Sequence, residues 1–449
     1  MKIRGKTAGE IFDHIRAMIQ SGEVAPGTLL PTLRELAAEL GVNRNTVALA
    51  YKRLTDAGFV LSKGRNGTLV RAPIAPTDIE GSTPNLVLRD LASGNPAAAV
   101  LPQVSQLAAW IRTTPKLYGE PVLNPELEAA GLAWLAPDLD SPFELNLTHG
   151  AVDAVERVLA SYLIAGDRVA VEDPCFLSSI STLQHNRLQA APVAMDEEGM
   201  QIESLSRQLA AGVQALIVTP RAHNPTGFGL SARRAESIRS LLARYPQVLV
   251  IVDDHFSLLS TQDYHSVVPA NSRNWVLIRS MSKFLGPDLR MAFVASDSET
   301  SQRLRQRLNA GTNWVSHMLQ DMAAGYLRSP DFQPAIQAAR RGYFDRRASM
   351  VKALKQHGVT LSDHHDGLNV WIPLAQPSAA SVMQMAQRGW LVRGGEGFML
   401  DHPGSGLRVT VADLDVTETT FIAKALAEIL AQPPHIHTTN TVLPGQNTI

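Results

Sequence analysis

Apolar positions recur with helical spacing at the start of the chain. In residues 9–20, Ile11, Ile15, Met18 and Ile19 fall on one face, which predicts an amphipathic helix. SGEVAPG then supplies turn chemistry, and TLRELAAEL predicts a second helix. There Thr32 and Glu35 stand at capping-box spacing, Leu33, Leu36, Ala37 and Leu40 form the apolar face, and Gly41 is the stop. NRNTVALAYKRLTDAG predicts a third helix, with Val47, Ala50, Tyr51 and Leu54 inward and Gly58 closing it. FVLSKGRNGTLV alternates around an Asn-Gly turn, the pattern of a β-hairpin. The periodicity then lapses. Residues 72–85 (APIAPTDIEGSTPN) read as a semi-flexible linker, and 432–449 (QPPHIHTTNTVLPGQNTI) as a disordered tail.

Between linker and tail, strand and helix patterns alternate, the mark of an α/β domain with a largely parallel sheet. Four runs are apolar without interruption until they end in polar residues: RVAVEDP (168–174), ALIVTPRAHNPTG (215–227), VLVIVDDH (248–255) and WVLIRSMSK (275–283). Strands of such sheets are buried on both faces, and ligands bind beyond their carboxyl ends. Asp173, Asn224, Asp253 and Lys283 are therefore expected to converge on one crevice. Each alone is unremarkable, since NPTG is a turn and SMSK a loop; four in order are specific.

The 449 residues, 45% hydrophobic and 18% charged, suffice for two or three domains with sizeable cores. The single cysteine, Cys175, excludes an intramolecular disulfide framework, fits a reducing compartment, and reads as a small buried residue. MKIRGKTAGE has no signal-peptide core and no apolar stretch is long enough to span a bilayer, so a cytoplasmic protein without a membrane partner is expected. The net charge of −1 conceals an asymmetry. Residues 1–72 hold 11 Lys and Arg against six acids, a net of +5, which leaves −6 for the rest. A basic head on an acidic body points to a polyanion as the partner of the head alone.

Three helices and a basic hairpin in this order make a winged helix-turn-helix, which binds double-stranded DNA by presenting the N-terminal side chains of its third helix to the major groove. Those side chains are Asn43, Arg44, Asn45 and Thr46. Arg44 and Arg34 suit phosphate or a guanine edge, and Lys63 and Arg65 sit on the wing. The plainer reading, a helical docking module with solvated charges, leaves the agreement of charge, spacing and wing to chance.

The strand ends of the body carry a second chemistry. A buried lysine can lose its proton and form a Schiff base with an aldehyde. Pyridoxal 5′-phosphate (PLP) needs such a lysine, and a carboxylate that keeps its ring nitrogen protonated. It also needs a donor to the ring hydroxyl and a cationic, hydroxyl-lined cradle for its phosphate. Lys283 is the Schiff-base candidate, Asp253 the ring-nitrogen partner and Asn224 the hydroxyl partner. Ser280, Ser282 and Arg290 are the phosphate candidates, Arg290 through charge-assisted hydrogen bonds. Asp254 reads as a supporting or helix-capping acid. His364 and His365 in SDHHDG read as turn residues rather than metal ligands, and His435 and His437 as part of the tail.

PGTLLPTLRELAAELGVNRNTVALAYKRLTDAGFV…GRNGTLV resembles the GntR-type DNA-binding domain along its whole length. It departs at Thr32-Leu33, where serines are usual, and at Asn43, usually Ser or Thr. From about residue 90 to 430 the body resembles the aspartate-aminotransferase superfamily of PLP enzymes. The matching stretches are YGEPVLNPELEAA, LTHGAVDAVERVL, VEDPCF, MDEEGM, HNPTG, VDDH, SMSKFLGPDLR and GLRVTVA. Head and body together are similar to the MocR subfamily of bacterial regulators, most of all to its PtsJ-type members linked to vitamin B6 salvage.

The resemblance implies a GntR-type head at 1–72, a linker at 73–90, an aminotransferase-like PLP-binding body at 91–430 and a tail at 431–449. It implies that Phe176 stacks on the pyridine ring, that Gly150 and Ala151 offer backbone N–H groups to the phosphate, and that Arg408 receives a substrate or effector carboxylate. Tyr118 would reach a neighbouring subunit's phosphate. Taken alone, Phe176 is as readily a core residue and Arg408 a strand-end salt bridge. His255 stands where a tyrosine is usual beside the ring oxygen, and GAVD replaces a more polar stretch of the phosphate loop. Both departures weigh against efficient catalysis, which demands tighter positioning than binding does. The family also implies a homodimer, commonly head-to-tail. The expected function is thus a PLP-responsive transcriptional regulator whose effector is PLP or an amine joined to it. The alternatives are a true aminotransferase with a DNA-binding regulatory head and a DNA-binding scaffold with an empty body.

Overall fold

The structure, a computed structural model, describes residues 1–62, 67–71, 87–270, 272–364, 366–401 and 404–431. The head consists of α1 (Ala8–Gln20), β1 (Leu29–Leu30), α2 (Leu33–Leu40), α3 (Arg44–Asp56), β2 (Val60–Ser62) and β3 (Thr68–Val70). Local chemistry sets each boundary. The Thr32 hydroxyl accepts the Glu35 N–H while the Glu35 carboxylate accepts that of Thr32, and Gly41 ends α2 in the left-handed region at φ 61. Asn43 caps α3, its Oδ1 accepting the Asn45 N–H at 2.8 Å. Ile11, Ile15, Leu36, Val47 and Leu54 close the core. The Tyr51 hydroxyl donates to the Pro31 carbonyl at 2.8 Å and so pins α3 to the entry of α2. β3 pairs antiparallel with both β1 and β2.

The body holds two sheets. Its smaller one begins with β4 (Arg89–Leu91), and the larger comprises β5 (Glu144–Thr148), β6 (Arg168–Asp173), β7 (Gln189–Asp196), β8 (Gly199–Met200), β9 (Ala215–Val218), β10 (Leu249–Asp253), β11 (Trp275–Ser280) and β12 (Ala292–Ser296). The large sheet runs β5-β12-β11-β10-β9-β6-β7-β8. Its central pairs, from β11 through β10, β9 and β6 to β7, are parallel; β12 is antiparallel to both neighbours, and β8 to β7. Val250 and Val252 of β10 enter one hydrophobic cluster, and Leu249 and Ile251 another on the opposite face. With both faces covered, the strand tolerates no polar residue before Asp253.

β13 (Asn369–Leu374), β14 (Trp390–Gly394) and β15 (Ser405–Thr410) complete the small sheet, ordered β13-β15-β14-β4. Its apolar face, with Leu91, Val370, Val392 and Leu407, packs with Met350 and Ile422 of the helices Phe332–Gln356 and Val416–Leu430. β4 pairs parallel with β14. Arg89 and Asp90, expected in the linker, are therefore strand residues of the body, and Arg89 Nε donates to Glu418 Oε1 at 2.8 Å. Of the expected tail only Ala431 is described. Lys63, Arg65, His365, His435 and His437 lie outside the described residues, while His364 is exposed, its N–H donating to the Ser362 hydroxyl at 3.0 Å. No helix among the described residues is long and apolar enough to cross a membrane.

Candidate functional site

The carboxyl ends of β9, β10 and β11 open onto a cavity of about 830 Å³, within the size range of cofactor sites. Lys283, Asp253, Asn224, Arg290, Ser280, Ser282, Phe176, His255, Gly150 and Ala151 all line it, although more than 130 positions separate Gly150 from Arg290. Lys283 enters on the short helix Ser282–Leu285 directly after β11, with Nζ donating to the Gly94 carbonyl at 3.0 Å. Asp253 closes β10; it is 8% exposed, and its Oδ1 has no hydrogen-bond partner. Burial, then the charge of Asp254, pushes its carboxyl up to about 7. An orphaned buried acceptor costs about 1–3 kcal/mol. A protonated ring nitrogen would satisfy it, so the residues present fit a pyridine cofactor. Asn224 Oδ1 accepts from Arg408 Nη1 at 2.9 Å, which turns the donor end of the amide away from that arginine.

The other end of the cavity suits an anion. Gly150, at φ 92, starts the helix Ala151–Tyr162 without a side-chain cap, so the first turn has N–H groups to offer. The Ser280 hydroxyl accepts the Ser282 N–H at 3.2 Å. Arg290 is exposed and, among the described residues, forms no ion pair. Its φ of 46 is left-handed, a conformation that costs a non-glycine residue about 1–2 kcal/mol and here aims a cation at the cavity.

Other expected residues stand elsewhere. Asp173 does not line the cavity; its carboxylate accepts the Leu400 and Asp401 N–H groups at 3.0 and 3.1 Å and fastens the loop before β15. Arg408 is fully buried behind Asn224, over the Phe398 ring, and shares the Ala92 carbonyl with Arg393, its cross-strand partner on β14. Tyr118 is exposed and meets only the Trp314 ring among the described aromatic pairs, outside the cavity of its own chain. Cys175 is buried, which pushes its thiol well above the ordinary value. Asp254 caps no helix; it is clamped between the buried Arg221 and Arg279. Two further groups beneath the cavity, Glu172 and His223, were not foreseen, because an acid inside an apolar run and the histidine of HNPTG carry no periodic signal. In the head, Arg34, Asn43, Arg44 and Asn45 are exposed and Thr46 is half-buried at the start of α3.

Residues 88–426 match the aminotransferase class I and II family, and residues 7–70 the gntR family of bacterial regulatory proteins. The vitamin B6 salvage pathway transcriptional repressor PtsJ of Salmonella typhimurium is 49% identical over 428 residues, spanning 95% of this chain and 99% of that protein. The probable rhizopine catabolism regulatory protein MocR of Rhizobium meliloti is 22% identical over 433 residues, 85% of this chain and 84% of that protein. The chain belongs to the MocR-type regulators. Another relative of this MocR-type chain is the pyridoxine biosynthesis transcriptional regulator PdxR of Corynebacterium glutamicum, 26% identical over 402 residues, 85% of this chain and 86% of that protein. Among solved structures, the kynurenine aminotransferase of Pyrococcus horikoshii superposes with a TM-score of 0.69 at 21% identity, over 77% of this chain and 91% of that one. That likeness concerns the fold alone.

Proposed function

We propose that this MocR-type regulator binds PLP in the cavity of its body and operator DNA through its head, and that PLP, or an amine joined to it, sets the affinity for DNA in the control of vitamin B6 metabolism. One observation carries the reading: a buried, orphaned Asp253 oxygen in the same cavity as Lys283 and an unpaired Arg290. The vitamin B6 role of the 49%-identical repressor supports the physiological part. When bound, PLP supplies an electron-withdrawing ring and an aldehyde that an amine can capture. Lys283 is the capturing amine, Asp253 holds the proton at the ring nitrogen, and Asn224 with His255 orients the ring oxygen. Phe176 covers the ring face. The N–H groups at Gly150 and Ala151, the Ser280 and Ser282 hydroxyls and Arg290 hold the phosphate. Arg408 receives the carboxylate of an amine effector. The working protein is a cytoplasmic homodimer in which Tyr118 reaches the partner's site.

A ligand shifts a conformational equilibrium only by its difference in affinity for the two states, so a tenfold change in operator binding needs about 1.4 kcal/mol of preference. The loop His149–Asp153 presents Ala151 and Val152 where hydroxyls or amides would add grip, which favours sensing over turnover. Operator gel shifts with and without PLP, alongside absorption spectra, test the proposal. Lys283→Ala should abolish the visible absorbance, and borohydride should fix a pyridoxyl group at position 283 of the wild type. PLP-independent operator binding, or an unchanged spectrum in the variant, refutes it. Steady multiple-turnover transamination with an ordinary amino acid would instead make the chain an aminotransferase.

A further inference from the structure

Two buried polar atoms beneath the cavity lack hydrogen-bond partners: Asp253 Oδ1 and, one strand over, His223 Nε2. His223 Nδ1 lies 2.8 Å from the Thr226 hydroxyl. Facing its Nε2 at 3.5 Å is Oε2 of Glu172, whose Oε1 accepts the Thr219 N–H at 2.9 Å. Both residues are nearly sealed, Glu172 at 4% and His223 at 1% exposure, and among the described residues no lysine or arginine pairs with Glu172. A carboxylate so placed is costly, so the pair is stable only as a neutral unit that keeps its proton. Burial accordingly raises Glu172 to about 8 and lowers His223 to about 3. The titratable groups around them are Asp253, whose charge raises Glu172 further, His255, which lowers His223, and Cys175 and Asp173 beside Glu172. None of the cofactor contacts above uses Glu172 or His223.

We propose that Glu172 and His223 form a positioning pair that holds one proton behind Asp253, so that a single negative charge faces a pyridine ring in the cavity, and that arrival of the ring releases this proton to solvent. The inference rests on the reading of the cavity as a PLP site. In the ligand-free protein the charges of Asp253 and Glu172 oppose one another across the strand ends. A protonated ring nitrogen neutralises Asp253 and removes that opposition. Glu172 then gives up its proton more readily: its O–H bond breaks, the proton passes to water, and no other bond changes.

Calorimetry of PLP binding to the full chain at pH 8, in two buffers of different ionisation enthalpy, counts the protons released. The wild type should release more than Glu172→Gln, whose amide oxygen still accepts the Thr219 N–H. The two proteins should bind PLP equally at pH 6.5. At pH 9 the wild type should bind more tightly, by about tenfold for each unit by which the ring displaces the Glu172 pKa. Equal proton release with parallel pH profiles overturns the proposal. Infrared spectra of the PLP-free wild type give a second reading that needs no variant. A carboxylic-acid C=O band should be present at pH 7, survive in Asp253→Asn, and vanish above pH 9. Its absence at pH 7 in Asp253→Asn also overturns the proposal. Failure of PLP to bind at all would instead strike the cavity reading, and leave the infrared result to judge the pair.

Discussion

Replacing Asp254 by Asn keeps the shape of the side chain and removes the charge that two buried cations share. Arg221 donates to Asp254 through Nε and Nη2, both at 2.8 Å, and Arg279 through Nε at 3.0 Å. Arg221, Arg279 and Asp254 are all buried. Burial works to raise the Asp254 pKa, yet the bonds and charges of Arg221 and Arg279 hold it below the ordinary value. In the variant only Asp138 still carries a compensating charge, paired with Arg279. Breaking one side of a buried ion pair costs about 3–5 kcal/mol. The amide oxygen of Asn still accepts one bond, so about 3 kcal/mol is expected, which for a body of this size lowers the unfolding midpoint by about 5–10 °C. Fluorescence-monitored unfolding suits the purpose, because Arg279 lies 5.7 Å from the Trp134 ring centroid. A loss below about 1 kcal/mol would mean that water reaches the guanidinium groups, and would refute the picture of a dry clamp.

Two other expectations concern the head and the pH profile. Arg44→Ala should weaken operator binding by about 1–3 kcal/mol and leave the PLP spectrum intact, and titration of labelled operator decides it. In the PLP-free protein, Glu172 and Asp253 are raised to about 8 and about 7, and His223 is lowered to about 3. A raised carboxyl contributes stability that is complete below its unfolded pKa, near 4, and is lost as pH climbs through the folded one. His223 acts in the opposite sense, but only between about pH 3 and 6.5, where the unfolded imidazole takes a proton that the buried one refuses. Stability should therefore fall from about pH 6.5 to 8.5, less steeply in Glu172→Gln. Urea midpoints that are flat or rise with pH contradict this.

Much of the site was legible because its chemistry sits where hydrophobic runs stop. β10 and β11 have no polar residue until the sheet's edge, so Asp253, Ser280 and Lys283 announce themselves as what the ends of those strands present. The capping box of α2 was legible for a similar reason, since two residues three apart satisfy each other's backbone. What could not be read is side-chain direction. Asp173 ends its run as Asp253 does, yet it turns to a loop more than 220 residues away. Glu172 looks like a strand-end acid and is in fact enclosed. β4 escaped notice because three residues, two of them charged, make no alternation; its pairing is dictated by β14 and by the Arg89 ion pairs with Glu418 and Asp413, all distant in sequence.

β4 also determines where the tether to the head is moored. From Arg71 to Val87 the chain has sixteen peptide steps, which at no more than about 3.6 Å each cannot exceed about 58 Å, so the head's excursions are bounded by the position of that mooring. The mooring is hydrogen-bonded to β14, whose other neighbour is β15, the strand that bears Arg408. Any displacement of β15 against the eight-stranded sheet thus drags the leash as well as the arginine, and changes the volume the DNA-reading helix can sweep.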